Sequence, residues 1–481
     1  MALSIAHHMN RYLRVLGMLI VAGCLSGDAA NRKPNIIYIL ADDLGYGDLG
    51  CYGGLLIDTP RIDQMRAEGM KFTQHYAGSS RCAPTRSCLL TGLHTGHTRV
   101  RDNSGYLVKR RVPLLPEDVT IGEVLKKASY QTAVIGKWGV GEAGSTGVPN
   151  RQGFDFWFGY LNQSRAHHYY PEYLWRNEEK EMYPGNPTKR THYSHDLMTA
   201  EAMKFIDRNQ EHPFFLYLAY TIPHVDLDVP EDSKQPYIGK LKETKPYGTP
   251  GGQHYRYEER PHATFAGMVS RLDRDVGRLL DHLKQLGLEK ETLVIFTSDN
   301  GPTGAGGADP KFFDGNGPLR GIKFEFYEGG IRVPFIAWWP GQVKAGTTSD
   351  HISAHWDMMS TFAELARTKP GTKTDGISMV PAMLGKKQKQ HKYLYWETYS
   401  GGGQQAVRKG DWKALRFKVS RDKNAPVQLY NLRDDLAETT DVAAAHPEIV
   451  AEMKELMTEA HEPNADYAFK PIPARQKQKK K

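Results

Sequence analysis

Short apolar runs that end in polar residues recur along the chain. They lie at residues 36–40, 132–135, 214–219 and 293–296. Continuous apolar runs of this length are typical of strands that are buried on both faces of a parallel sheet. Each run leads into polar side chains, which are Asp42 and Asp43, Lys137, His224, and Asp299 with Asn300. Because ligands bind beyond the carboxyl ends of such strands, the pattern predicts one crevice in which these side chains meet.

Helical segments separate the predicted strands. They are expected at about residues 60–68, after Thr120, at about residues 195–208, and around the leucines of residues 272–287. The first of them has Thr59 at the N-cap position and Pro60 at its first helical position, and Gly69 follows its end. The leucine-rich helix is amphipathic and ends near Gly287. The alternation of strands and helices predicts an α/β core.

The pattern changes past about residue 370. Four short strand-like segments are separated by turn-forming Gly and Asp, and they lie at residues 393–397, 405–408, 412–416 and 427–430. A helix follows at about residues 447–460. We therefore predict a large α/β domain over residues 31–370 and a small antiparallel sheet with one packed helix over residues 371–465.

The N-terminal segment indicates export. Arg11 and Arg14 precede an apolar run over residues 15–25 that is too short to span a bilayer, so residues 1–30 are predicted to be a secretory signal, with Met9 as an alternative start. Val21-Ala-Gly-Cys24 resembles a bacterial lipobox, in which Cys24 is lipidated and becomes an anchor. A small-residue cleavage site at residues 27–29 is the alternative. Both predict an exported protein of the bacterial periplasm or cell envelope.

Composition adds a moderate basic balance. The chain has 63 Lys and Arg against 55 Asp and Glu, a net charge of +8, and 40% hydrophobic residues. Six of the positive charges fall in the last dozen residues, and residues 466–481 are predicted to be a solvated, disordered tail. A basic balance suits a polyanionic ligand. No nucleic-acid-binding motif accompanies it, and we expect no nucleic-acid partner.

A cysteine motif carries the most specific chemistry. The stretch Cys82-Ala-Pro-Thr-Arg86-Ser-Cys-Leu-Leu-Thr-Gly92 resembles the signature of the type I sulfatases. In that family a maturation enzyme converts the cysteine to formylglycine (3-oxoalanine), and the hydrated aldehyde is the nucleophile. One hydroxyl of a geminal diol attacks sulfur, and the other then expels sulfate as the aldehyde re-forms, which divides one hard displacement into two easier steps. The alternative for Cys82 is a buried or disulfide-bonded cysteine beside a Pro-Thr turn.

The resemblance covers nearly the whole mature chain and points to arylsulfatase-like members of the alkaline phosphatase superfamily. It implies a large mixed, mostly parallel sheet flanked by helices, with the small C-terminal antiparallel sheet beside it. It also implies an exported enzyme that hydrolyses sulfate esters. We expect a sulfated carbohydrate as the natural substrate, with aryl sulfates as accepted analogues.

The resemblance also assigns a metal site. Asp42, Asp43, Asp299 and Asn300 match the family's calcium ligands, with the modified Cys82 beside them. Carboxylate and amide oxygens suit Ca²⁺, or less well Mg²⁺, and they are a poor set for zinc. Taken singly, each pair is equally a turn after a strand.

Further matches assign the cationic residues and the acid. Arg86 matches the residue that braces the diol, Lys137 and Lys323 match the lysines that bind sulfate, and His224 matches the acid that protonates the departing alcohol. Arg320, close to Lys323, is assigned to substrate binding. Three carboxylates and a dianionic transition state require a metal and fixed cations nearby. For single residues, a solvated cation or a buried core histidine is the alternative.

One position departs from the family pattern. Many relatives read Gly-Lys-Trp-His-Leu-Gly where this chain reads Gly136-Lys-Trp-Gly139-Val-Gly141. The missing histidine contacts the nucleophile in the family, so its role is open here. His167 and His168 are candidate replacements, and substrate-pocket or surface positions are the alternatives for both.

Two alternative functions and one possible disulfide bond remain open. Some superfamily relatives use the same modified cysteine on phosphorus, so a phosphonate or phosphodiester hydrolase is an alternative. Gly139 leaves room for a non-catalytic relative that binds polyanions. Cys51 and Cys88, the cysteines without an assigned role, are able to pair in an oxidising compartment.

Overall fold

A computed structural model describes residues 32–105, 111–251, 255–422 and 424–469. The predicted signal over residues 1–30, with Cys24, lies outside these residues, as does the tail from residue 470 onward. Within the described ranges no helix has both the length and the apolar character needed to cross a lipid bilayer.

A large mixed sheet forms the centre of the molecule. In chain order, the strands β1 to β16 of the described residues are Asn35–Ala41, Met70–Phe72, His75–Tyr76, Gln131–Lys137, Phe156–Tyr160, Tyr173–Arg176, Glu179–Met182, Phe214–Ala219, Thr292–Ser298, Phe335–Trp338, Thr347–Ser349, Ser353–Ala354, Leu394–Thr398, Gln404–Lys409, Trp412–Phe417 and Val427–Asn431. Within the same residues, the large sheet has ten strands in the order β11-β2-β10-β9-β1-β8-β4-β5-β6-β7. The neighbours from β9 to β5 run parallel, and the flanking β10, β6 and β7 run antiparallel.

This order explains why polar groups converge. The four apolar runs of the sequence are β1, β4, β8 and β9, which are adjacent and parallel in the centre of the sheet. Their carboxyl ends therefore open on the same edge, as the sequence pattern predicts. The predicted fold class, a mostly parallel mixed sheet with a small C-terminal antiparallel sheet, is confirmed.

Helices cover both faces of the sheet. The α-helices α1 to α12 of the described residues are Pro60–Glu68, Cys82–Thr91, Ile121–Lys127, Asn186–Lys189, Ser194–Arg208, Glu231–Lys234, Pro261–Gln285, Pro310–Phe313, Glu328–Ile331, Asp357–Leu365, Val380–Met383 and Pro447–Glu459. Alternate residues of a strand point to opposite faces. Ile37 and Ile39 of β1 join one apolar core, Ile36 and Tyr38 join the other, and all of β1 is buried. Burial on both faces accounts for the continuous apolar runs.

The cap of α1 differs from the prediction. Thr59 makes no capping hydrogen bond to the helix, because its hydroxyl accepts from the Gly50 amide at 2.9 Å instead. The carboxylate of Asp273, on α7, accepts from the amides of Arg61 and Ile62 at 3.0 and 2.7 Å. A side chain distant in sequence thus satisfies the free amides of the first turn, which local sequence patterns do not reveal.

The C-terminal part folds as predicted into an antiparallel sheet with one helix. Strands β13 to β16 pair in chain order, and α12 packs on β14 and β16. A buried ion network joins this sheet to the large domain: Lys413 lies 2.8 Å from Glu328 and 3.0 Å from Glu438. The boundaries at residues 370 and 465 stay predictions. Cys51 and Cys88, for which a disulfide was left open, are both free thiols.

Candidate active site

Cys82 is held in place by the loops around its helix. It is the first residue of α2, and all ten residues of that helix are buried. The Thr85 hydroxyl accepts from the Ser79 amide and donates to the Ser79 carbonyl, both at 2.9 Å, which fixes the chain entering the helix. The Asn103 side chain accepts from the Ala83 amide at 3.1 Å. One free amide of the first turn is thereby satisfied, and these bonds hold the start of the helix in place.

The acidic residues come from two neighbouring strands. Asp42 and Asp43 follow β1, Asp299 and Asn300 follow β9, and β1 and β9 pair in parallel. The Asp43 amide donates to Asp299 Oδ1 at 3.1 Å, and Asn300 Nδ2 donates to Asp43 Oδ1 at 2.8 Å. All four side chains are buried. The structure therefore brings together the residues that the resemblance assigns to a metal.

Two cations neutralise this cluster from the side of Asp42. Arg86, on α2, lies 2.9 Å from Asp299 Oδ2 and 3.4 Å from Asp42 Oδ2. Its other guanidinium nitrogen donates to the Lys137 carbonyl at 2.7 Å. The Lys137 ammonium, at the end of β4, lies 2.6 Å from Asp42 Oδ2. Buried charges persist only when they are paired in this way.

Lys323 lies on the opposite side, next to the cysteine. Its ammonium is 2.6 and 2.7 Å from the two oxygens of Asp43 and 3.4 Å from Cys82 Sγ. Cys82 Sγ is 3.5 Å from Asp42 Oδ1. The sulfur atom thus lies between a cation and a carboxylate, where a group attached to residue 82 contacts both.

Burial dominates the titration of these groups. Burial and the negative charge of Asp299 raise the pKa of the Cys82 thiol, so the thiol is protonated at neutral pH. Burial and the neighbouring Asp42 raise the pKa of Asp299 to about 7. Burial opposes a charge on Lys323, but Asp43, Cys82, Asp42 and Asp299 together outweigh it and hold the lysine pKa above its ordinary value. The lysine is therefore a permanent cation beside residue 82.

His224 faces the cluster from the end of β8. Its Nε2 lies 3.4 Å from Asp43 Oδ2, and its Nδ1 donates to the Val225 carbonyl. Burial and the nearby Lys323 hold the pKa of His224 well below its usual range. The ring of His167 stacks on that of His224, with centroids 4.2 Å apart. The two imidazoles therefore form one wall of the site.

A pocket opens onto Cys82. It has a volume of about 480 Å³, and four predicted residues line it: Cys82, His167, His224 and Lys323. The other lining side chains are polar or aromatic and come from loops: Asn103, Ser104, Arg111, Gln163, Ser164, Tyr255 and Phe324. Its size suits a small ligand such as one sugar ring. We name it the inner pocket.

The oxygen cluster fits a hard divalent cation. Asn300 Oδ1 is buried and finds no hydrogen-bond partner among the described residues, although the same amide donates from Nδ2 to Asp43. A buried acceptor without a donor costs free energy unless something else satisfies it. Side-chain atoms of Asp42 and Asp43 lie close enough to each other to share one ion. Carboxylate and amide oxygens are the donors that Ca²⁺ and Mg²⁺ prefer.

Comparison with models of known protein families identifies the class of protein. The family model described as Sulfatase matches residues 34–368. The chain belongs to the sulfatase family. A second model, described as the C-terminal part of N-sulphoglucosamine sulphohydrolase, matches residues 322–463 of this sulfatase. The enzyme is therefore a sulfuric ester hydrolase.

Relatives of known activity cover most of this sulfatase. It is 34% identical to the N-acetylgalactosamine-6-sulfatase of Canis lupus familiaris over 83% of this chain and 75% of the relative. It is 33% identical to arylsulfatase A of Homo sapiens over 93% of this chain and 91% of the relative. The crystal structure of Ps i-CgsB in complex with k-i-k-neocarrahexaose superposes with a TM-score of 0.75 at 29% identity, covering 91% of this chain and 94% of that one.

Two residues that the sequence assigned to substrate binding lie away from the inner pocket. His168 points outward, with 59% of its side chain exposed, and pairs with Asp226 at 2.8 Å. The Arg320 guanidinium donates to the Glu438 carbonyl at 2.5 Å and stacks on the Tyr327 ring at 3.9 Å. Arg320 of this sulfatase therefore supports the contact with the C-terminal sheet, although Lys323 follows it closely in sequence.

Gln163 occupies the space beside Gly139. Gly139 has a φ of 81°, and a Cβ atom there would lie 3.3 Å from the Gln163 side chain and 3.5 Å from that of Arg86. Gln163 Nε2 donates to Asn103 Oδ1 at 3.4 Å. The sequence pattern indicates neither Gln163 nor Asn103, because both lie in loops without periodicity. Gln163 is recognised only through its contact with Gly139 in the fold.

Proposed function

We propose that this sulfatase removes sulfate from sulfated carbohydrates through formylglycine at position 82 and a bound calcium ion. The placement of Cys82 carries the proposal: it lines the inner pocket 3.4 Å from Lys323 and 3.5 Å from Asp42. The relatives named for N-acetylgalactosamine 6-sulfate, and the similar structure that holds a neocarrahexaose, support a sugar substrate. A maturation enzyme that generates formylglycine is part of the proposal.

The chain's own residues account for binding and orientation of the sulfate group. A hydrated aldehyde at residue 82 would supply two hydroxyls. One would attack sulfur as the bond from sulfur to the alcohol oxygen breaks, and loss of a proton from the other would re-form the aldehyde as the bond from its carbon to the sulfate oxygen breaks. Lys137 and Lys323 neutralise the negative charge that develops on the sulfate oxygens. Arg86 holds Asp42 and Asp299 in place and keeps their charges balanced.

His224 is the proton donor to the departing alcohol. Its Nδ1 donates to the Val225 carbonyl, so Nε2 is the atom that exchanges a proton with the pocket. Donation requires the doubly protonated ring, which the negative charge of Asp42 favours. A bound sulfate ester adds a negative charge near Lys323. That charge offsets the positive charge of Lys323, which otherwise disfavours protonation of His224. Proton donation is thereby linked to substrate binding.

Calcium is proposed from the same site. Asp42, Asp43, Asp299 and Asn300 would hold the ion. When bound, it supplies positive charge that acidifies a hydroxyl on residue 82. Export is proposed as well, and the basic residues and apolar run of the first 30 residues support it. Cys24 is the proposed lipid attachment point.

Activity toward matched esters tests the function. Protein produced together with a formylglycine-generating enzyme is offered an aryl sulfate, N-acetylgalactosamine 6-sulfate, a sulfated carrageenan hexasaccharide, an aryl phosphodiester and a phosphonate monoester. We expect the highest kcat/KM on a sulfated sugar. Faster turnover of either phosphorus ester would favour the phosphonate or phosphodiester hydrolase. Binding of sulfated sugars without turnover, in protein whose peptide mass shows the aldehyde, would favour the non-catalytic relative.

The role of His224 has a test of its own. A sugar alkoxide leaves poorly and needs a proton, whereas an aryl oxide needs little. We expect His224→Ala to lower kcat by ~10²–10⁴ on a sulfated sugar and much less on an activated aryl sulfate. His212→Ala is the matched control, because His212 is exposed and precedes the other end of the same strand, β8. Equal losses on both substrates would show that His224 is not the acid. A larger loss on the sulfated sugar than on the aryl sulfate in His167→Ala would instead identify His167 as the acid.

A further inference from the structure

A second cavity lies beside the inner pocket. It has a volume of about 530 Å³, and we name it the outer pocket. Its lining combines aromatic rings with charged groups, among them Tyr160, Arg165, His168, Tyr170, Glu172 and Tyr173. None of these residues has a role in the chemistry at Cys82.

One short turn separates the two pockets. The 3-10 turn Arg165–His167 places His167 in the inner pocket, whereas Arg165 and the next residue, His168, line the outer one. Ser164 lines both, and Arg111 of the inner pocket donates to its hydroxyl at 2.9 Å. The two openings therefore share a rim, and a chain that leaves the inner pocket over Ser164 enters the outer one.

The outer pocket is built before any ligand arrives. Tyr173 lies on β6, which pairs with strands on both sides. The Tyr160 hydroxyl donates to the His168 carbonyl at 2.7 Å. Asp226 holds the His168 ring at 2.8 Å, and its amide donates to the His167 carbonyl at 3.0 Å. A pocket whose walls are fixed by strands and hydrogen bonds loses little entropy on binding.

The side chains match the chemistry of a sulfated sugar. Tyrosine rings offer flat apolar faces with a polar edge, which suits the apolar faces of a sugar ring. The guanidinium of Arg165, a lining residue of the outer pocket, lies over the Tyr173 ring at 4.6 Å. Guanidinium groups bind sulfate-like oxyanions through paired hydrogen bonds. Glu172 adds an acceptor for sugar hydroxyls.

We propose that the outer pocket binds the sugar adjoining the one whose sulfate is removed, so that the enzyme acts on chains longer than one residue. This inference rests on the proposed function. Contacts made away from the reacting bond strengthen binding of the longer substrate and position its sulfated sugar over residue 82. The expected ligand is an anionic oligosaccharide that extends from the inner pocket past Ser164.

Binding to an inactive protein tests the pocket directly. Cys82→Ala protein is titrated calorimetrically with the monosaccharide and hexasaccharide forms of chondroitin 6-sulfate and of κ-carrageenan. We expect a hexasaccharide to bind about tenfold tighter than its monosaccharide. Adding Tyr173→Ala or Arg165→Ala should remove most of that difference. The controls are Tyr393→Ala, a half-buried tyrosine before β13, and Arg151→Ala, an exposed arginine in another 3-10 turn.

Turnover provides the second measurement. In protein with an intact Cys82, Tyr173→Ala and Arg165→Ala should lower the ratio of kcat/KM on the hexasaccharide to that on an aryl sulfate about tenfold, mainly through KM. The two controls should leave the ratio unchanged. The outer pocket is refuted when hexasaccharides bind no tighter than monosaccharides in both series, or when its variants match the controls. The proposed function is refuted instead when the unmutated, aldehyde-bearing protein releases sulfate from none of the esters. In that case the calorimetric result still decides whether the outer pocket binds an oligosaccharide.

Discussion

Replacement of Cys82 by alanine is expected to abolish sulfate release while the protein remains folded. The thiol contacts Lys323 at 3.4 Å and Asp42 at 3.5 Å, and both of these charges keep closer partners without it. Alanine is also the most favourable residue for a helix. Loss of a nucleophile lowers kcat by roughly 10⁴-fold or more. Sulfate release on the ester panel, with circular dichroism as the check on folding, measures both effects.

Cys88→Ala is the matched control for this variant. Cys88 is a buried cysteine on the same helix, α2, and its sulfur faces the Gly78 carbonyl at 3.6 Å. This variant should stay active, with a modest loss of stability. Cys82→Ser should be inactive unless the host's maturation enzyme accepts serine. A Cys82→Ala protein that keeps most of the wild-type rate would place the nucleophile elsewhere, and a peptide mass that shows an unmodified thiol in active protein would do the same.

Removal of the metal is expected to lower both activity and thermal stability. The proposed ligands come from two strands that are far apart in sequence, β1 and β9, so the unfolded chain offers no such site. An ion that binds only the folded state adds about 2.7 kcal/mol of stability at a free concentration 100 times its Kd. Exhaustive chelation should therefore lower the melting temperature and the rate of sulfate release. Addition of Ca²⁺ should restore both.

Asp43→Asn tests whether the effect of Ca²⁺ on the melting temperature comes from binding at this site. The variant should lose most of the rise in melting temperature that Ca²⁺ produces in the wild-type protein. Asp375→Asn is the control, because Asp375 belongs to a second group of possible ligands, with His94 and His97, and lies 2.8 Å from His97. It should keep the Ca²⁺-dependent rise. Full activity after chelation, with no metal detected by elemental analysis, would contradict the proposed calcium site.

The sequence predicts the centre of the sheet well for a physical reason. Strands such as β1 are buried on both faces, so their apolar runs are continuous and end abruptly at the functional edge. Edge strands give no such signal: β7 is largely exposed and reads as a polar segment. The capping of α1 by Asp273 is also invisible locally, since the two groups are joined by tertiary packing.

The site was predictable where residues follow buried strands and not where they lie in turns. Lys137 and His224 are aimed by β4 and β8, so their positions follow from the strand ends. His167 and His168 are adjacent in sequence, yet the short turn that ends at His167 places one in each pocket. Arg320 shows the same limit, because proximity to Lys323 in the chain does not determine which way its side chain points.

The burial of α2 bears on whether residue 82 is modified before or after the chain folds. All ten residues from Cys82 to Thr91 are buried, and 2% of Cys82 is exposed. Because Cys82 and its helix are buried, we expect the proposed modification to take place before the chain folds. Maturation and folding then compete in time. Under the same proposal, molecules that fold first keep a thiol and are expected to be inactive. Slower folding, or more maturation enzyme, raises the active fraction of a preparation without changing how much protein it contains.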